Sequence, residues 1–358
     1  MTVVVIIGAG VAGLAAAQRL QQQGIRATLY EKSRGVGGRA ATRRIDRFTF
    51  DHGAQYVKAP SGPLLELMHA SHACDLERDV WAFTADGTID TGDPVQNADP
   101  KWTWQSGVTT LAKTLAASLD VRLETTIQRI EQTPCGGYRI YDSDGTLRDE
   151  ADYVLLTPPA PQICDLLQAS QLDPAQKNQF LALLRPISYR PCLSIALAYA
   201  HRPALDWYAL INTDRQHPIT WLAAEHDKAE HVPDPYALFI AQMSPQFTQH
   251  HWDSAVKGTY GRYGEPLPDY VTTTHTLVQA LAGTDLGQPL WANVQRWKYA
   301  LPEAGVSFEQ INLPNSRLFF AGDFTFGRGR VHLAIESGWH AGERIGAAIR
   351  PTFAVRYS

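Results

Sequence analysis

Three glycines near the start of the chain, Gly8, Gly10 and Gly13, have the spacing of a phosphate-binding turn. In such a turn the first glycine permits a tight bend, the second lets the backbone approach a pyrophosphate, and the third lets a helix pack closely on the preceding strand. The N-terminus of that helix presents free N–H groups and the positive end of its dipole to the anion. These residues therefore predict the binding of a dinucleotide.

The elements needed to position these glycines are also predicted. Residues 3–7 are all β-branched and predict a buried strand, and residues 14–23 predict a helix. A second strand, over 25–30, ends at Glu31, which follows Gly8 by 23 residues. A carboxylate at this position can accept hydrogen bonds from both ribose hydroxyls of an adenosine and would repel a 2′-phosphate. A glycine-rich turn followed by an unrelated surface glutamate is the alternative.

A basic, glycine-rich loop follows Glu31 and favours FAD over NAD. It covers residues 32–39 and contains Lys32, Gly38 and Arg39, at a place where an NAD dehydrogenase usually continues into a helix. An extended FAD needs such a loop, since backbone amides and a guanidinium can cover its pyrophosphate from a second side. A solvated basic turn is the alternative interpretation.

The C-terminal part of the chain has a second pattern that fits FAD. A predicted strand over 317–321 leads into Gly322 and Asp323, then into a Gly/Arg-rich loop, and then into a predicted helix over 333–349. The aspartate can bind a ribityl hydroxyl, and the helix N-terminus can face the flavin ring, where reduction places negative charge. An aspartate that merely caps the helix is the alternative.

Composition fits a two-domain enzyme. The chain has 358 residues, of which 44% are hydrophobic, and this is enough for two cores. A net charge of −4 argues against a nucleic-acid partner, which usually needs a basic face. No apolar run approaches a membrane span, and the first strand begins too early to leave room for a signal peptide. We therefore expect a cytoplasmic protein with no membrane partner, and the oligomeric state stays open.

Seven segments occur in the order seen in bacterial renalase-like proteins, which are members of the FAD-dependent amine-oxidase superfamily. These segments are GAGVAGL (8–14), EKSRGVGGR (31–39), FDHGAQYV (50–57), WTWQSGVTTLAKTLA (102–116), LLTPPAPQ (155–162), RWKYALP (296–302) and FFAGDF (319–324). The chain resembles this family nearly end to end.

The resemblance implies an α/β fold with a Rossmann-like FAD-binding domain of the p-hydroxybenzoate-hydroxylase or amine-oxidase type. Into this domain is inserted an α+β substrate domain built on an antiparallel sheet. The positions of the FAD segments predict a discontinuous FAD-binding domain over 1–60, 100–165 and 295–358. The substrate domain is predicted over 61–99 and 166–294.

The predicted FAD contacts follow from these motifs. The resemblance places Gln55 and Tyr56 in a loop beside the isoalloxazine ring, where the neutral amide can form a hydrogen bond. The full set of predicted contacts is Gly8, Gly10, Val11, Ala12, Gly13, Glu31, Lys32, Gly38, Arg39, Gln55, Tyr56, Ile127, Thr157, Gly322, Asp323 and Ala334.

Cysteine spacing excludes one mode of FAD attachment. Cys74, Cys135, Cys164 and Cys192 form no C-x-x-C pair, so neither a zinc site nor a disulfide framework is predicted, and we predict no metal. Some amine oxidases attach flavin to a cysteine in the C-terminal FAD segment. Because no cysteine follows Cys192, we predict non-covalent FAD.

Aromatic side chains are candidates for the substrate pocket. Trp102 and Trp104, with Trp297 and Tyr299 on a late strand, could form stacking walls for a planar substrate ring. Tyr56 also belongs to the predicted pocket. Packing within a core is an equally good interpretation for any single tryptophan.

The Gly/Arg-rich loop indicates an anionic substrate. Arg328, Arg330 and His332 lie between Asp323 and the last predicted helix. Guanidiniums beside a flavin suit a phosphate-bearing dinucleotide and would repel a protonated amine. The resemblance makes Arg330 the matched position, although the loop looks longer than in relatives, and a solvated loop is the alternative.

Three functions are compatible with these residues. The resemblance implies oxidation of 2- or 6-dihydro isomers of NAD(P) to NAD(P)⁺ by hydride transfer to flavin N5, with O₂ reoxidising the flavin to give H₂O₂. An amine oxidase for a small amine or polyamine is the first alternative. It typically needs a lysine near N5, and Lys298 lies in the matching stretch but on the opposite strand face from Trp297. A flavoprotein with a structural or sensing role is the second.

Overall fold

A computed structural model describes residues 2–58 and 62–350. The chain divides into two compact units. Unit 1 comprises Met1–Ala40, Leu111–Tyr189 and Leu301–Ser358, and unit 2 comprises Ala41–Thr110 and Arg190–Ala300.

The strands among the described residues are β1 (Val4–Ile7), β2 (Ala27–Tyr30), β3 (Thr42–Ile45), β4 (Phe48–Asp51), β5 (Cys74–Asp75), β6 (Val80–Phe83), β7 (Ile89–Asp90), β8 (Trp102–Thr103), β9 (Asp120–Arg122), β10 (Ile127–Gln132), β11 (Tyr138–Asp142), β12 (Leu147–Ala151), β13 (Tyr153–Leu156), β14 (Tyr189–Tyr199), β15 (Ala209–Asn212), β16 (Ile219–Ala224), β17 (Ala237–Met243), β18 (Gly258–Tyr260), β19 (Trp291–Pro302) and β20 (Leu318–Phe320).

The helices are α1 (Val11–Gln22), α2 (Gly62–Ala70), α3 (Pro94–Ala98), α4 (Thr109–Ala116), α5 (Ala160–Ala169), α6 (Pro174–Leu184), α7 (Pro245–His251), α8 (Asp269–Ala282), α9 (Phe308–Ile311) and α10 (Val331–Ile349), with short 3₁₀ turns at Glu225–Asp227 and Asp323–Thr325. None of these described helices is long and apolar enough to cross a membrane.

Unit 1 is built on a parallel sheet with the strand order β20-β13-β1-β2-β9. All four residues of β1 are buried, as expected for a strand covered on both faces. Helix α10 packs closely on α1: a Cβ on Gly338 would lie 2.1 Å from the carbonyl oxygen of Ala12. This contact requires a residue without a side chain. A separate antiparallel sheet, β10-β11-β12, completes the strands of the unit.

Unit 2 is built on a sheet with the order β18-β19-β14-β17-β16-β15-β6-β7. Its strands pair mostly antiparallel, as predicted, but β6 and β15 pair in parallel. One face carries the cluster around Leu193, Ile195 and Phe239. The other face carries Ala196, Ala198 and Ile240. They pack in one cluster with Phe48, Phe50, Tyr208 and Trp291.

The boundaries of the two units differ from those of the predicted domains. Segments 41–58, 100–110 and 295–300, predicted for the FAD-binding domain, belong to unit 2, and 166–189 belongs to unit 1. Phe48 and Phe50 on the β3–β4 hairpin are buried in the core of unit 2. Phe180 on α6 packs on Phe320 of β20, with ring centroids 4.7 Å apart. The predicted break at 60/61 and residues 351–358 lie outside the described residues.

Element ends also differ from the sequence predictions. Helix α10 begins at Val331 rather than 333, and α1 begins at Val11 rather than 14. Strand β9 ends at Arg122, and Glu124 two residues later has a φ of 52°. A residue with this left-handed backbone cannot continue a strand.

Candidate functional site

The turn between β1 and α1, here called the glycine turn, has the form that the glycine spacing predicts. Gly8 has a φ of 104°, and its N–H donates to the carbonyl oxygen of Tyr30 at 2.8 Å. A Cβ on Gly13 would lie 2.1 Å from the carbonyl oxygen of Gly8. A Cβ on Gly10 would meet no atom within 4 Å. The turn is therefore tightly packed beneath Gly13 and open at Gly10, where α1 begins.

Glu31 connects the glycine turn to the loop after β2. Its side chain is buried, and its Oε2 accepts a hydrogen bond from Ala9 N–H at 2.9 Å. Its Oε1 accepts from Ser33 N–H at 2.8 Å. A carboxylate has about four lone-pair sites, so these two bonds leave acceptor capacity for hydroxyl groups. Glu31 thus fixes two backbone segments and can also serve as a ribose ligand.

The basic loop lies against the glycine turn. The N–H of Gly37 donates to the carbonyl oxygen of Ala9 at 2.9 Å, and a Cβ on Gly38 would lie 3.4 Å from Gly10 Cα. Lys32 and Gly38 are exposed. The loop therefore meets the glycine turn at its open position, as a loop covering a bound pyrophosphate would.

Arg39 and Asp323 form a bidentate ion pair. Arg39 Nη1 lies 2.7 Å from Asp323 Oδ2, and Nη2 lies 2.9 Å from Oδ1. The Tyr189 hydroxyl donates to Oδ1 at 3.4 Å. Burial and the Asp323 carboxylate raise the pKa of Tyr189, so this phenol stays a neutral donor. Burial lowers the pKa of Arg39, but the attraction of Asp323 outweighs it, and the net change is upward.

This ion pair joins two residues that the sequence assigned to different parts of FAD. The pyrophosphate role of Arg39 and the ribityl role of Asp323 stay predictions. Their direct contact shows that both side chains reach one small region, between the end of the basic loop and the start of the second FAD pattern.

The remaining predicted contacts of unit 1 lie at the ends of elements. Thr157, directly after β13, donates its hydroxyl to the carbonyl oxygen of Ile7 at 2.9 Å. Gly322 N–H donates to Ser337 Oγ at 3.0 Å. Ile127 begins β10, in the separate three-stranded sheet. The other contacts predicted here are Val11 and Ala12 in the first turn of α1 and Ala334 in the first turn of α10.

The Gly/Arg-rich loop ends at Arg330, the N-cap residue of α10. Arg328 and Arg330 are exposed, and Arg330 Nη1 donates to the carbonyl oxygen of Gly329 at 3.0 Å. Within the described residues neither guanidinium forms an ion pair with a carboxylate. His332 is half-buried in the first turn of the helix. The loop therefore presents two positive charges that no described acidic group neutralises.

In unit 2, segment 52–56 is held by hydrogen bonds from the sheet. Trp297 Nε1 donates to the carbonyl oxygen of His52 at 2.8 Å, and Gln242 Nε2 donates to that of Gly53 at 2.9 Å. Gln55 is buried; its amide donates to Asp51 O, and its Oε1 accepts from the Tyr208 hydroxyl at 3.4 Å. The amide predicted to contact the flavin is therefore oriented by unit 2 itself.

A buried charge cluster lies beneath this segment, and we define it as Asp51, Glu225, Lys228 and His231. Lys228 Nζ lies 2.9 Å from Asp51 Oδ2 and 3.1 Å from Glu225 Oε1. His231 Nδ1 lies 2.7 Å from Glu225 Oε1. Three of these residues could serve as metal ligands, but the Lys228 ammonium already bonds both carboxylates. The arrangement is that of a salt-bridge network.

His231 contacts two hydrogen-bonding partners through its ring. Nδ1 lies 2.7 Å from Glu225 Oε1, and Nε2 lies 2.8 Å from the backbone carbonyl oxygen of Trp104. Glu225 Oε1 also accepts from Lys228 Nζ and from Asp51 N–H. The ring therefore connects the charge cluster to the segment that carries Trp104.

The tryptophans predicted as stacking walls lie in different environments. Trp104 is 2% exposed, and its indole N–H donates to Ser71 Oγ at 3.1 Å. Its pocket role stays a prediction. Trp102 and Trp297 are half-buried, and Tyr56 packs near Trp221 with ring centroids 6.0 Å apart. Their pocket roles stay predictions.

Comparison with known proteins gives the family. The model of the flavin containing amine oxidoreductases matches residues 69–346, and that of an NAD(P)-binding Rossmann-like domain matches residues 6–70. The chain belongs to the flavin-containing amine oxidoreductase family. It is an FAD-dependent oxidoreductase, as predicted.

Relatives of this amine oxidoreductase agree in fold and diverge in sequence. Cyclohexylamine oxidase from Brevibacterium oxydans IH-35A superposes with a TM-score of 0.71 at 14% identity, covering 98% of this chain and 99% of that chain. Reduced UDP-galactopyranose mutase superposes with a TM-score of 0.72 at 13% identity, covering 96% and 95%. At these identities the likeness shows the fold alone.

One segment is more similar in sequence. Over 57 residues the amine oxidoreductase is 49% identical to 4,4'-diapophytoene desaturase (4,4'-diaponeurosporene-forming) of Staphylococcus aureus. The match covers 16% of this chain and 11% of the desaturase, so it says nothing of the rest of that protein.

Unit 1 of the amine oxidoreductase fits FAD. The opening at Gly10, the free N-terminus of α1 and the cover of the basic loop provide space and donors for a pyrophosphate. Glu31 retains acceptor capacity for an adenosine ribose. Arg39 and Asp323 would hold the pyrophosphate and the ribityl chain.

Sequence reasoning missed the partners of Asp51 and the polar residues of the unit 2 sheet. Glu225, Lys228 and His231 follow the end of β16 and carry no short motif. One signal could have pointed to the polar residues: a polar side chain within an apolar strand. Ser194 is such a residue, since it interrupts the apolar run in residues 192–199, CLSIALAY.

Proposed function

We propose that this protein oxidises the 2- and 6-dihydro isomers of NAD(P) to NAD(P)⁺, as renalase-like proteins do, with O₂ as the final electron acceptor and H₂O₂ as the second product. The observation that supports this most is the pair of exposed guanidiniums, Arg328 and Arg330, that no described carboxylate neutralises. They follow closely on Asp323, which unit 1 pairs with Arg39. Positive charge there favours a phosphate-bearing substrate.

The position of Lys298 argues against the amine-oxidase alternative. An amine oxidase of this family would use a lysine near the flavin, and Lys298 is the lysine of the matching stretch. Its side chain is exposed, with Nζ 5.4 Å from the ring centroid of Tyr299, whereas the neighbouring Trp297 donates its indole N–H to His52 O. Strand alternation puts the two side chains on opposite faces, and the inward-facing one is the tryptophan.

In the proposed reaction the residues of this chain bind and orient. FAD supplies, when bound, the acceptor for a hydride from the substrate ring and the route for two electrons to O₂. Arg330 and Arg328 would attract the substrate phosphates, with Arg330 as the matched position. The hydrogen bonds from Trp297 and Gln242 fix segment 52–56, and with it Gln55 and Tyr56. Oxidation converts the dihydropyridine ring of the substrate into an aromatic pyridinium ring, and this gain of aromaticity drives the reaction. No side chain has to act as a nucleophile.

The experiment is anaerobic mixing of the FAD-loaded protein with borohydride-generated isomers of NADH and NADPH. We expect the flavin absorbance at about 450 nm to fall in one fast phase, and to recover with formation of H₂O₂ when O₂ is admitted. Putrescine and cyclohexylamine should cause no bleaching. Bleaching by the amines and not by the isomers would overturn the proposal.

Two variants separate the roles of the basic residues. Arg330→Ala should weaken binding of the dihydronucleotides about tenfold and leave the rate of flavin reduction at saturation nearly unchanged, because a phosphate contact acts on binding. Lys298→Met is the matched control and should change neither quantity. An unchanged affinity in Arg330→Ala would remove this residue from the site, and a large rate loss in Lys298→Met would favour the amine oxidase.

A further inference from the structure

One face of the unit 2 sheet changes from apolar to polar toward one end of its strands. At the apolar end lie Ala196, Ala198 and Ile240, packed with Trp291. Farther along the same strands and on the same face lie four uncharged polar side chains, here called the polar row: Gln295 of β19, Ser194 of β14, Gln242 of β17 and Trp221 of β16.

Strand pairing places these residues beside one another. Ser194 is the Cα partner of Gln242, and Gln242 is the Cα partner of Trp221. Directly opposed residues of antiparallel strands point to the same face. Gln295 lies four residues beyond Trp291 on β19, the neighbour of β14, and residues separated by an even number point the same way.

Three atoms of the polar row lack hydrogen-bond partners among the described residues. They are Ser194 Oγ, Trp221 Nε1 and Gln295 Oε1, and each is inaccessible in the structure. Ser194 is 1% exposed and Gln295 is 7% exposed. A buried polar group without a partner is destabilising, so three on one patch of a sheet indicate that a ligand or water supplies the missing bonds.

The chemistry of the polar row indicates what that ligand offers. Ser194 and Trp221 can donate hydrogen bonds, Gln295 Oε1 and Ser194 can accept them, and no member carries a charge. This set is complementary to a neutral carboxamide, which has one carbonyl acceptor and two N–H donors. Without a carboxylate, the row offers nothing to balance an ammonium group.

A positive charge lies farther along the same strand. Arg190 is four residues before Ser194 on β14, about 13 Å away along the strand. Alternation puts it on the same face. Its Nε is also buried without a partner among the described residues. A neutral amide site with a guanidinium at this spacing fits a ligand that has an amide at one end and an anionic group at the other.

We propose that the polar row binds the carboxamide of the substrate's dihydropyridine ring and that Arg190 binds a phosphate of the same molecule. Trp221 Nε1 donates to the amide oxygen, and Gln295 Oε1 accepts from the amide nitrogen. Ser194 Oγ completes the site. This inference rests on the proposed function, which requires a dihydronicotinamide nucleotide as substrate.

The neighbouring contacts support the site. Segment 52–56 is bonded to the same sheet face through Gln242 Nε2 and Trp297 Nε1. Tyr56 packs against Trp221. The row is therefore bordered by aromatic side chains and by the segment that the family resemblance associates with the flavin.

The proposed amide site is tested by the binding of β-NAD⁺ to the FAD-loaded protein, compared with the binding of two other probes. Nicotinic acid adenine dinucleotide has a carboxylate in place of the carboxamide, and ADP-ribose lacks the pyridine ring. We expect the wild type to bind NAD⁺ at least about tenfold more tightly than the carboxylate analogue, as measured by titration calorimetry. Ser194→Ala and Gln295→Leu should each reduce this ratio at least about fivefold and leave ADP-ribose binding unchanged.

Arg190→Met should weaken NAD⁺ and ADP-ribose alike and preserve the ratio. Ser254→Ala, at an exposed serine whose hydroxyl donates to His251 O, is the matched control and should change no affinity. Ser194→Ala should not lower stability, because it removes a hydroxyl without a partner, and this keeps the test valid if Gln295→Leu folds poorly.

The outcomes separate the two proposals. If the wild type discriminates between the probes and the ratio persists in Ser194→Ala and Gln295→Leu, the polar row is not the amide site, while the proposed function stands. If the wild type binds no NAD⁺ and its flavin is not reduced by the dihydronucleotide isomers, the proposed function fails and this inference fails with it.

Discussion

The glycine turn of unit 1 and the sheet face of unit 2 are built in different ways. In the turn, the contacts are made mainly by backbone groups: Gly8 N–H bonds Tyr30 O, and the N–H groups of Ala9 and Ser33 donate to one side chain, the Glu31 carboxylate. On the sheet face, side chains make them, through the polar row and the charge cluster. A site built mainly from backbone is sensitive to added volume where it is packed, whereas a side-chain site depends on each functional group.

The largest expected effect lies in the charge cluster. Lys228→Met would leave the carboxylates of Asp51 and Glu225 buried without their ammonium partner. Breaking one partner of a buried network costs about 3–5 kcal/mol. We therefore expect the free energy of unfolding, measured with urea, to fall by about that amount.

The exposed pair Arg139–Glu150 provides the control for this variant. Its side chains are 51% and 61% exposed, and water and salt screen such a pair so that it contributes little to stability. Arg139→Met should therefore change stability little. Equal losses in Lys228→Met and Arg139→Met would mean that the charge cluster does not support unit 2.

The glycine turn should respond to volume in two distinct ways. In Gly13→Ala the new Cβ would meet the carbonyl oxygen of Gly8, so we expect a loss of about 1–3 kcal/mol in stability together with weak FAD binding. In Gly10→Ala the Cβ meets no protein atom, so the apoprotein should keep its stability while FAD affinity falls at least about tenfold. Urea unfolding and flavin fluorescence titration measure the two quantities. Normal FAD affinity in Gly10→Ala would place the cofactor elsewhere.

The same contrast explains what the sequence could predict. The glycine turn, β1, β2 and Glu31 lie within 30 residues of one another, and spacing alone fixes their geometry once a strand and a helix form. The second FAD pattern, at Gly322 and Asp323, was also predicted from a local order of elements. What the sequence could not show is that Arg39 and Asp323 pair with each other, because that contact joins positions 284 residues apart.

The sheet face of unit 2 could not be predicted from spacing. Ser194, Gln242 and Gln295 come from separate strands, and their proximity depends on strand order and register. The surroundings of Trp104 could not be predicted for the same reason, since an aromatic residue in a family motif can be either a wall or a core residue. The structure shows that its ring is buried and that its indole N–H bonds Ser71.

Acid should affect the sheet unit through its buried histidines. Burial lowers the pKa of His226 to about 4, below its ordinary value of 6.5. Between these two values the unfolded chain binds a proton that the folded chain excludes, so stability falls as the pH drops through this range. The loss is up to about 1.4 kcal/mol per pH unit, or about 2 kcal/mol from pH 6.5 to 5. The backbone bonds of the glycine turn have no proton to gain there.

Replacing His226 tests this. In His226→Gln the loss of stability between pH 6.5 and 5 should be smaller than in the wild type by about 2 kcal/mol, as measured by urea unfolding at each pH. His201→Gln, at an exposed histidine, is the matched control and should keep the wild-type slope. An unchanged slope in His226→Gln would show that His226 takes up its proton in the folded protein as readily as in the unfolded chain.

The smallest expected effect concerns Glu31, the side chain on which the backbone-built turn depends. In Glu31→Gln the amide nitrogen would face Ala9 N–H or Ser33 N–H, so one of the two bonds is lost, at a cost of about 1 kcal/mol. FAD affinity should fall about tenfold, because the turn loosens and the ribose loses a charged acceptor. FMN, which has no adenosine, should bind the variant and the wild type equally. Equal loss for both flavins would mean that Glu31 acts only by holding the turn.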